Sequence, residues 1–338
     1  MTRPAILLRA DASHAIGLGH VARLCALIEE IDPGTAEPIA LFGGDAAVAA
    51  WSHAQGLAAP VRPWTTAEVL AAAARPDLRA VVVDGAALAA ALIPPLAERG
   101  VRTVLVDDRG DCALPADTIV NHNFHAPVLA SGYPAARHCL LGRDYLLLRR
   151  AIRRYPRGSC RPRDIARLRV VISFGGSDPV GATARVVQLV PSNRPLDLLV
   201  ITGPGYRDDG ALHAGAKAAA AAGHSIEVRH DPADPGALFV AADAAICSAG
   251  GTLGELAYLG CPALGFAIVD DQVVAATSQA RGGLIAGGRR LDQLDDDAVR
   301  AELLGFLLSD RRRRAIRDRA LATADGLGAR RVVAEALG

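Results

Sequence analysis

The chain has 338 residues, of which 51% are hydrophobic and 22% charged, with a formal net charge of +1. This length exceeds what one hydrophobic core ordinarily supports and suits two domains. The balanced charge excludes the strong positive field of a nucleic-acid binder or of a protein that docks on acidic membranes.

The six cysteines indicate a reducing compartment rather than a metal site. They are scattered, with neither a CxxC pair nor a His/Cys cluster, which argues against zinc. The N-terminus shows no signal-peptide pattern, and the Ala-rich runs are too short to span a bilayer. We therefore expect a soluble cytoplasmic protein without metal, cofactor or membrane insertion, and the oligomeric state stays open.

Short apolar runs bounded by turn residues predict parallel strands, because several are continuous rather than alternating. In chain order these runs are 5–8, 80–83, 103–106, 118–120, 170–173, 198–201, 244–246 and 263–267. Helical patterns lie between them at 22–30, 88–99, 183–190, 212–222 and 254–259, and residues 295–337 also read as helical. The alternation predicts a doubly wound α/β architecture.

A stretch rich in Pro, Gly and Arg, residues 155–163, predicts a domain boundary near the middle of the chain. A fresh strand pattern follows it at 170–173. We therefore predict two Rossmann-like domains, over 1–155 and 165–338, that face each other across a cleft.

Four polar, Gly-containing clusters follow predicted strands, which is where open α/β sheets bind ligands. In the first, residues 9–20, Gly17 and Gly19 permit a tight turn. His20 then falls in the first turn of the next helix, whose positive end disfavours an imidazolium ion. A neutral histidine is suited to general-base catalysis. The competing interpretation is a turn in which His20 only caps the helix.

The second and third clusters predict a phosphate site. Gly175, Gly176 and Ser177 expose backbone N–H groups just before a helix, a natural phosphate cradle. No Walker lysine is present, which excludes a P-loop NTPase; a well-capped turn is the alternative. In the third cluster Glu255 can bind a ribose diol, and the predicted pyrophosphate ligands are Ser248, Gly250, Gly251 and Thr252.

The fourth cluster, Asp270-Asp271-Gln272, again enters a helix, and its acids either cap that helix or contact a ligand. Paired acids at Asp107 and Asp108 favour hydrogen bonds to sugar hydroxyls. Asn123 follows another predicted strand and Tyr145 lies in the approach to the linker, and we expect both to bind the substrate. His122 and His125 read as loop residues.

Together these segments resemble the nucleotide-sugar hydrolase of pseudaminic acid biosynthesis and its relatives, often labelled spore-coat polysaccharide proteins. The resemblance rests on Arg9-x-Asp11-x-Ser13-x-x-Ile16-Gly17-x-Gly19-His20-x-x-Arg23, Asp107-Asp108, Asn121-x-Asn123, Leu141-Gly142-x-x-Tyr145-x-x-Leu148-Arg149, Phe174-Gly175-Gly176-Ser177-Asp178-Pro179, Ser248-Ala249-Gly250-Gly251-Thr252 and Asp325-Gly326-x-Gly328-Ala329-x-Arg331.

The resemblance implies the GT-B fold, shared with the glycosyltransferase that makes lipid II. It also implies metal-independent hydrolysis of a UDP-linked, acetamido-bearing deoxysugar. His20 matches the general base that activates water, Asp11 would orient His20 or the sugar, and Glu255 would hold the ribose. Arg9, Ser13, Gly17 and Gly19 belong to the same substrate-binding motif.

One departure concerns the nucleotide. The family usually shows Asn before Gln after the strand at 263–267, whereas this chain has Asp271 before Gln272. An ionised carboxylate repels phosphate, so Asp271 either faces the ribose or base, or the donor nucleotide differs.

Two other functions stay open. A glycosyltransferase would use His20 to deprotonate a small soluble acceptor, and a non-catalytic subunit would only bind the nucleotide sugar.

Overall fold

The computed structural model describes residues 3–13, 16–57, 59–161, 167–207 and 210–338. The last part of the predicted linker, Pro162 and Arg163, lies outside these ranges. The chain forms two compact units: unit 1 comprises Met1–Arg150 and Gly326–Gly338, and unit 2 comprises Ala151–Asp325.

Unit 1 is built on a six-stranded parallel sheet with the order β2-β1-β3-β4-β5-β6. Its strands are β1 Ala5–Asp11, β2 Glu37–Gly43, β3 Leu78–Asp84, β4 Thr103–Val106, β5 Thr118–Asn121 and β6 His138–Leu141. Its helices are α1 Gly19–Ile28, α2 Ala46–Ala54, α3 Thr66–Ala72 and α4 Ala86–Glu98, with 3₁₀ turns at Ala126–Gly132 and Arg143–Tyr145. A short helix, α5 Arg150–Arg153, follows.

Unit 2 contains a second six-stranded parallel sheet, ordered β12-β11-β10-β7-β8-β9. Its strands are β7 Leu168–Ser173, β8 Leu196–Thr202, β9 Ser225–His230, β10 Ala244–Ser248, β11 Ala263–Ala267 and β12 Ala286–Arg290. Its helices are α6 Ala182–Leu189, α7 Ala211–Ala221, α8 Pro235–Val240, α9 Gly251–Leu259, α10 Gln272–Arg281, α11 Asp296–Leu307 and α12 Asp310–Thr323, with a 3₁₀ turn at Leu291–Gln293.

Both cores consist of apolar residues from the strands and the helices that cover them. In unit 1, Ile6 and Leu8 of β1 point into one buried cluster while Leu7 points into another, so β1 is buried on both faces. In unit 2, Ile172 and Phe266 lie in the cluster formed by β7, β11 and the flanking helices. Continuous apolar runs are what such doubly covered strands require.

The C-terminal helix, α13 Gly328–Leu337, differs from the sequence prediction. The sequence placed it with the second half of the chain, but it packs against α1 and β3 of unit 1. Its buried face, including Val332 and Val333, completes the core around β1. Amphipathic spacing marks the face that a helix buries, but it does not say which sheet receives that face.

Among the described residues, the structure contains no helix with the length and apolar character needed to cross a membrane.

Candidate active site

In each unit most of the candidate residues follow the carboxyl ends of neighbouring parallel strands. In unit 1 the direction of winding reverses between β1 and β3. From β1 the chain continues outward to β2, and from β3 it continues outward in the opposite direction to β4. In unit 2 the same reversal falls between β7 and β10. Loops that leave neighbouring strands in opposite directions open a crevice, where doubly wound sheets bind ligands.

His20 lies in the first turn of α1, as the sequence predicted. Its Nδ1 lies 2.6 Å from Oδ1 of Asp84, the last residue of β3. The Asp84 side chain is 0% exposed, whereas that of His20 is 28% exposed. Nδ1 also lies 2.8 Å from Nη2 of Arg23, which can only donate, so the distances alone do not set the tautomer. We assign Nδ1–H as the donor to Asp84, because a carboxylate can only accept. The lone pair of the imidazole is then on Nε2, where a general base needs it.

Arg23, one turn further along α1, binds the same carboxylate. Its Nε and Nη2 donate to the two oxygens of Asp84, each at 2.8 Å. Its Nη1 donates to Asp108 at 2.6 Å. Burial would lower the pKa of Arg23, but the attraction of Asp108 and Asp84 outweighs it and raises that pKa. The guanidinium therefore stays charged.

The hydrogen bonds continue from Asp108 across the ends of β4 and β5. Asn123 donates to Asp108 at 3.0 Å and to Oδ1 of Asn121 at 3.1 Å. Asn121 in turn donates to the Tyr133 hydroxyl, which donates to Asp107, each at 2.8 Å. A chain of polar contacts thus runs from His20 to Asp107 and fixes these side chains relative to one another.

The charges around this network shift the pKa values of Asp108 and His122 downward. Burial opposes ionisation of Asp108, yet Arg23 and His122 hold the pKa of Asp108 well below its usual range. Burial and the nearby Arg23 lower the pKa of His122 to about 4, so His122 is neutral near pH 7. Its Nδ1 accepts a hydrogen bond from the backbone N–H of Leu147 at 3.3 Å, which makes it part of the fold.

Other predicted residues of the first cluster are engaged within unit 1. Arg9 is buried, and its Nη1 donates to Asp11 at 2.5 Å. A Cβ on Gly43 would lie 1.8 Å from the same Asp11 oxygen, so the adjacent strand must carry glycine there. Asp11 is therefore held by Arg9, and its part-exposed carboxylate is kept in a fixed position.

The loop between β1 and α1 is a tight turn. Gly17 has φ of +77°, which favours glycine, and its N–H donates to the Ser13 carbonyl at 2.7 Å. The Ser13 hydroxyl accepts from the N–H of Ile16 at 3.2 Å. Gly19 is exposed at the start of α1, with open space where a side chain would be. Residues 14 and 15 of this cluster lie outside the described ranges.

Two predicted sugar ligands have contacts inside the protein. Oδ2 of Asp107 accepts from the N–H groups of Arg109 and Gly110 and from the Tyr133 hydroxyl, so Asp107 shapes its own turn. Tyr145 is half-buried and packs on the core around β1.

In unit 2 the second and third clusters lie side by side. Gly175 has φ of +88°, and a Cβ on it would lie 3.8 Å from the Ser248 hydroxyl. Gly176 touches the loop after β8, because a Cβ on Gly203 would lie 2.4 Å from its Cα. Ser177 is partly exposed next to them. Asp178, with φ of +43°, accepts two first-turn N–H groups of α6 at 2.7 and 2.9 Å.

Helix α9 begins at Gly251, directly beside these loops. Its N-cap residue Gly250 is extended and, within the described chain, offers no side-chain cap. The N–H of Leu253 donates to the Gly250 carbonyl at 3.1 Å, and the N–H groups before it can serve an anion. Thr252 is partly exposed in that turn, and Glu255 is partly buried one turn on.

The fourth cluster lies next to the start of α9. Gln272 accepts from the N–H of Ile268 at 3.1 Å, and its Nε2 lies 3.6 Å from where a Cβ on Gly250 would be. Asp271 is exposed and is the N-cap residue of α10. Neighbouring Asp270 forms an ion pair with Arg290.

Sequence reasoning missed Asp84 and did not include Arg23 among the site residues. Asp84 ends the apolar run Val81-Val82-Val83 and precedes Gly85, the pattern that singled out Asp107 after Val106. A polar residue that ends a buried strand was therefore an available signal. The described residues contain no group of three or more His, Cys, Asp or Glu side chains arranged to hold a metal ion.

Comparison with solved structures identifies the fold. MurG of Acinetobacter baumannii is 16% identical, with 98% of this chain and 99% of that chain covered and a TM-score of 0.71. The chain has the GT-B fold. A putative UDP-N-acetylglucosamine 2-epimerase from Listeria monocytogenes has a TM-score of 0.64 at 13% identity, covering 99% of this chain and 96% of that chain.

The UDP-GlcNAc 2-epimerase from Neisseria meningitidis, solved with UDP-GlcNAc bound, has a TM-score of 0.63 at 10% identity, over 98% of this chain and 99% of that chain. Neither the protein-family models nor the curated proteins compared with the sequence give a match.

Proposed function

We propose that the protein is an enzyme that cleaves a nucleotide-activated sugar, with His20 as the general base. The contact that carries this proposal is the 2.6 Å hydrogen bond between His20 and the buried Asp84. A buried carboxylate on Nδ1–H fixes the tautomer and orientation of an imidazole and leaves Nε2 to take a proton. A protein that only binds its ligand has no need for such a pair.

We propose that unit 2 binds the nucleotide, and its glycine loops support this. The backbone N–H groups at the start of α9 can hold a diphosphate without a cation, and preorganised donors of this kind stabilise developing negative charge. Glu255 would bind the ribose diol. The phosphate ligands would be Gly175, Gly176, Ser177, Ser248, Gly250, Gly251 and Thr252, with Asp271 and Gln272 toward the ribose or base.

The choice of a nucleotide sugar draws on two further supports. The structurally similar proteins include UDP-GlcNAc 2-epimerases, one solved with UDP-GlcNAc. The motifs of the first and third clusters resemble those of the nucleotide-sugar hydrolases. We propose a UDP-linked, acetamido-bearing deoxysugar as the substrate.

In the proposed reaction, Nε2 of His20 accepts a proton from water as the water oxygen bonds to the anomeric carbon. The bond between that carbon and the diphosphate oxygen breaks, and its electron pair leaves with the nucleoside diphosphate. The products are the free sugar and the nucleotide. In the alternative, a glycosyltransferase, a hydroxyl of a small acceptor replaces water in the same step.

A product-release assay tests this proposal. Purified protein would be incubated with UDP-, ADP-, GDP- and CMP-sugars in EDTA, and nucleotide and free sugar would be quantified separately. Wild type and His53→Ala, which changes an exposed histidine at the end of α2, should release both products from one donor. His20→Ala should release neither.

Turnover that requires an added acceptor would make the enzyme a transferase. Full activity in His20→Ala would remove His20 from the mechanism.

A further inference from the structure

Arg23 and His20 share one carboxylate. Nη2 of Arg23 lies 2.8 Å from Asp84 Oδ1 and also 2.8 Å from Nδ1 of His20, so a permanent positive charge lies against the imidazole. Arg23 is 15% exposed, which limits screening by solvent.

A buried carboxylate next to a histidine normally favours the protonated ring, because an opposite charge stabilises the imidazolium ion. A protonated His20 has no lone pair and cannot act as a base. Arg23 opposes this effect in two ways: its guanidinium neutralises Asp84 with two hydrogen bonds, and its own charge disfavours a second cation beside it.

We propose that Arg23 is a positioning residue that keeps His20 unprotonated while Asp84 holds its tautomer. The part of this inference that concerns catalysis rests on the proposed function, whereas the protonation of His20 does not. Asp108, just after β4, also holds Arg23 in place, because it accepts a hydrogen bond from Nη1 of the guanidinium at 2.6 Å.

Among the residues that the structure describes, charged groups that face His20 include Arg23 on α1, Asp84 at the end of β3 and Asp108 after β4. His122, after β5, lies near Arg23 and Asp108, and its pKa of about 4 keeps it neutral near pH 7. Without the Arg23 cation, the carboxylates of Asp84 and Asp108 favour protonation of His20. Without the Asp108 anion, the positive charge of Arg23 disfavours protonation of His20 more strongly. The two changes therefore move His20 in opposite directions.

The test is a pH titration of His20 in the full-length protein, followed by NMR of ¹⁵N-labelled histidine and assigned with His20→Ala. Arg23→Met should raise the pH midpoint of His20 protonation by about one unit or more, and Arg23→Lys should recover much of the wild-type midpoint. Asp108→Asn should lower the midpoint.

A matched control is Arg75→Met. Arg75 also holds an aspartate with two donors, Nε and Nη2 to Asp77, on the surface of unit 1. Its removal should leave the His20 titration unchanged.

Enzymatic activity provides a second readout. If Arg23 controls protonation, the acid limb of the rate profile of Arg23→Met should move to higher pH, with activity recovering as the pH rises. An equal loss at every pH, together with unchanged His20 titrations in Arg23→Met and Asp108→Asn, would overturn the proposal. If Arg23→Met does not fold, an Asp108→Asn midpoint that is unchanged or raised overturns it on its own. If His20→Ala retains activity while the titrations shift as expected, the proposed function fails and the assignment of Arg23 stands.

Discussion

Asp84→Asn probes the centre of the proposed mechanism, since it keeps the shape of the side chain and removes its charge. Arg23 donates to both oxygens of Asp84, and an asparagine offers one oxygen. With that oxygen turned to Arg23, the amide nitrogen faces His20 and donates to Nδ1. The ring then carries its proton on Nε2 and cannot accept another from water.

The expected loss of rate is on the order of 10⁴, the size found when the aspartate of a serine protease triad becomes asparagine. Stability should fall as well. Removing one partner of a buried ion pair costs about 3–5 kcal/mol, and we expect a value near 3 because Arg23 keeps its bond to Asp108.

Urea unfolding and the product-release assay measure these two effects separately. Asp77→Asn, which changes the partly buried aspartate bound by Arg75, is the control and should alter neither by much. An Asp84→Asn protein with wild-type turnover would refute the assignment of the tautomer and of the base.

Three further changes test the phosphate site and the buried histidine. Gly251→Ala meets open space, so it should leave stability intact yet weaken UDP binding in calorimetry, whereas Gly305→Ala within α11 should leave UDP affinity unchanged; equal affinities would argue against a diphosphate at the start of α9. Gly203→Ala places a Cβ 2.4 Å from the Cα of Gly176, and should lower the free energy of unfolding by about 1–3 kcal/mol and weaken UDP binding; unchanged binding would contradict a role for that loop. The pKa of His122 is depressed to about 4 in the folded protein. Below pH 6.5 the unfolded chain therefore binds more protons than the folded protein, and the free energy of unfolding decreases as the pH is lowered. Between pH 7 and pH 5, the free energy of unfolding measured in urea should decrease by about 2 kcal/mol less in His122→Asn than in wild type. Equal decreases in the two proteins would contradict the depressed pKa.

The strands predicted from the sequence are the central ones, and the four missed strands are the sheet edges. All eight predicted runs lie in strands, and 103–106 and 263–267 coincide with β4 and β11. β2, β6, β9 and β12 were not predicted. An edge strand has one neighbour and needs less apolar cover. β9 is almost entirely exposed, and β12 reads Ala-Gly-Gly-Arg-Arg, so neither forms a continuous apolar run.

For the candidate site, too, the sequence predicts the features that depend on neighbouring residues and misses those that depend on residues far apart in the chain. Glycines and polar residues after strands are local signals, and they located His20 and the start of α9. The partners of these residues are distant in sequence: Asp84 is 64 positions from His20, and Asp107 accepts from a tyrosine 26 positions away. Which carboxylates serve the fold and which face the ligand depends on strand order, which residue patterns do not encode.

The most direct test of the central claim follows the oxygen atom of water. Hydrolysis of the preferred nucleotide sugar would be run in ¹⁸O-labelled water and the products analysed by mass spectrometry. Water activated by His20 to attack the anomeric carbon predicts one ¹⁸O at C1 of the released sugar and none in the nucleoside diphosphate, with product formation lost in His20→Ala. Label in the diphosphate, or unchanged release by His20→Ala, would contradict the account.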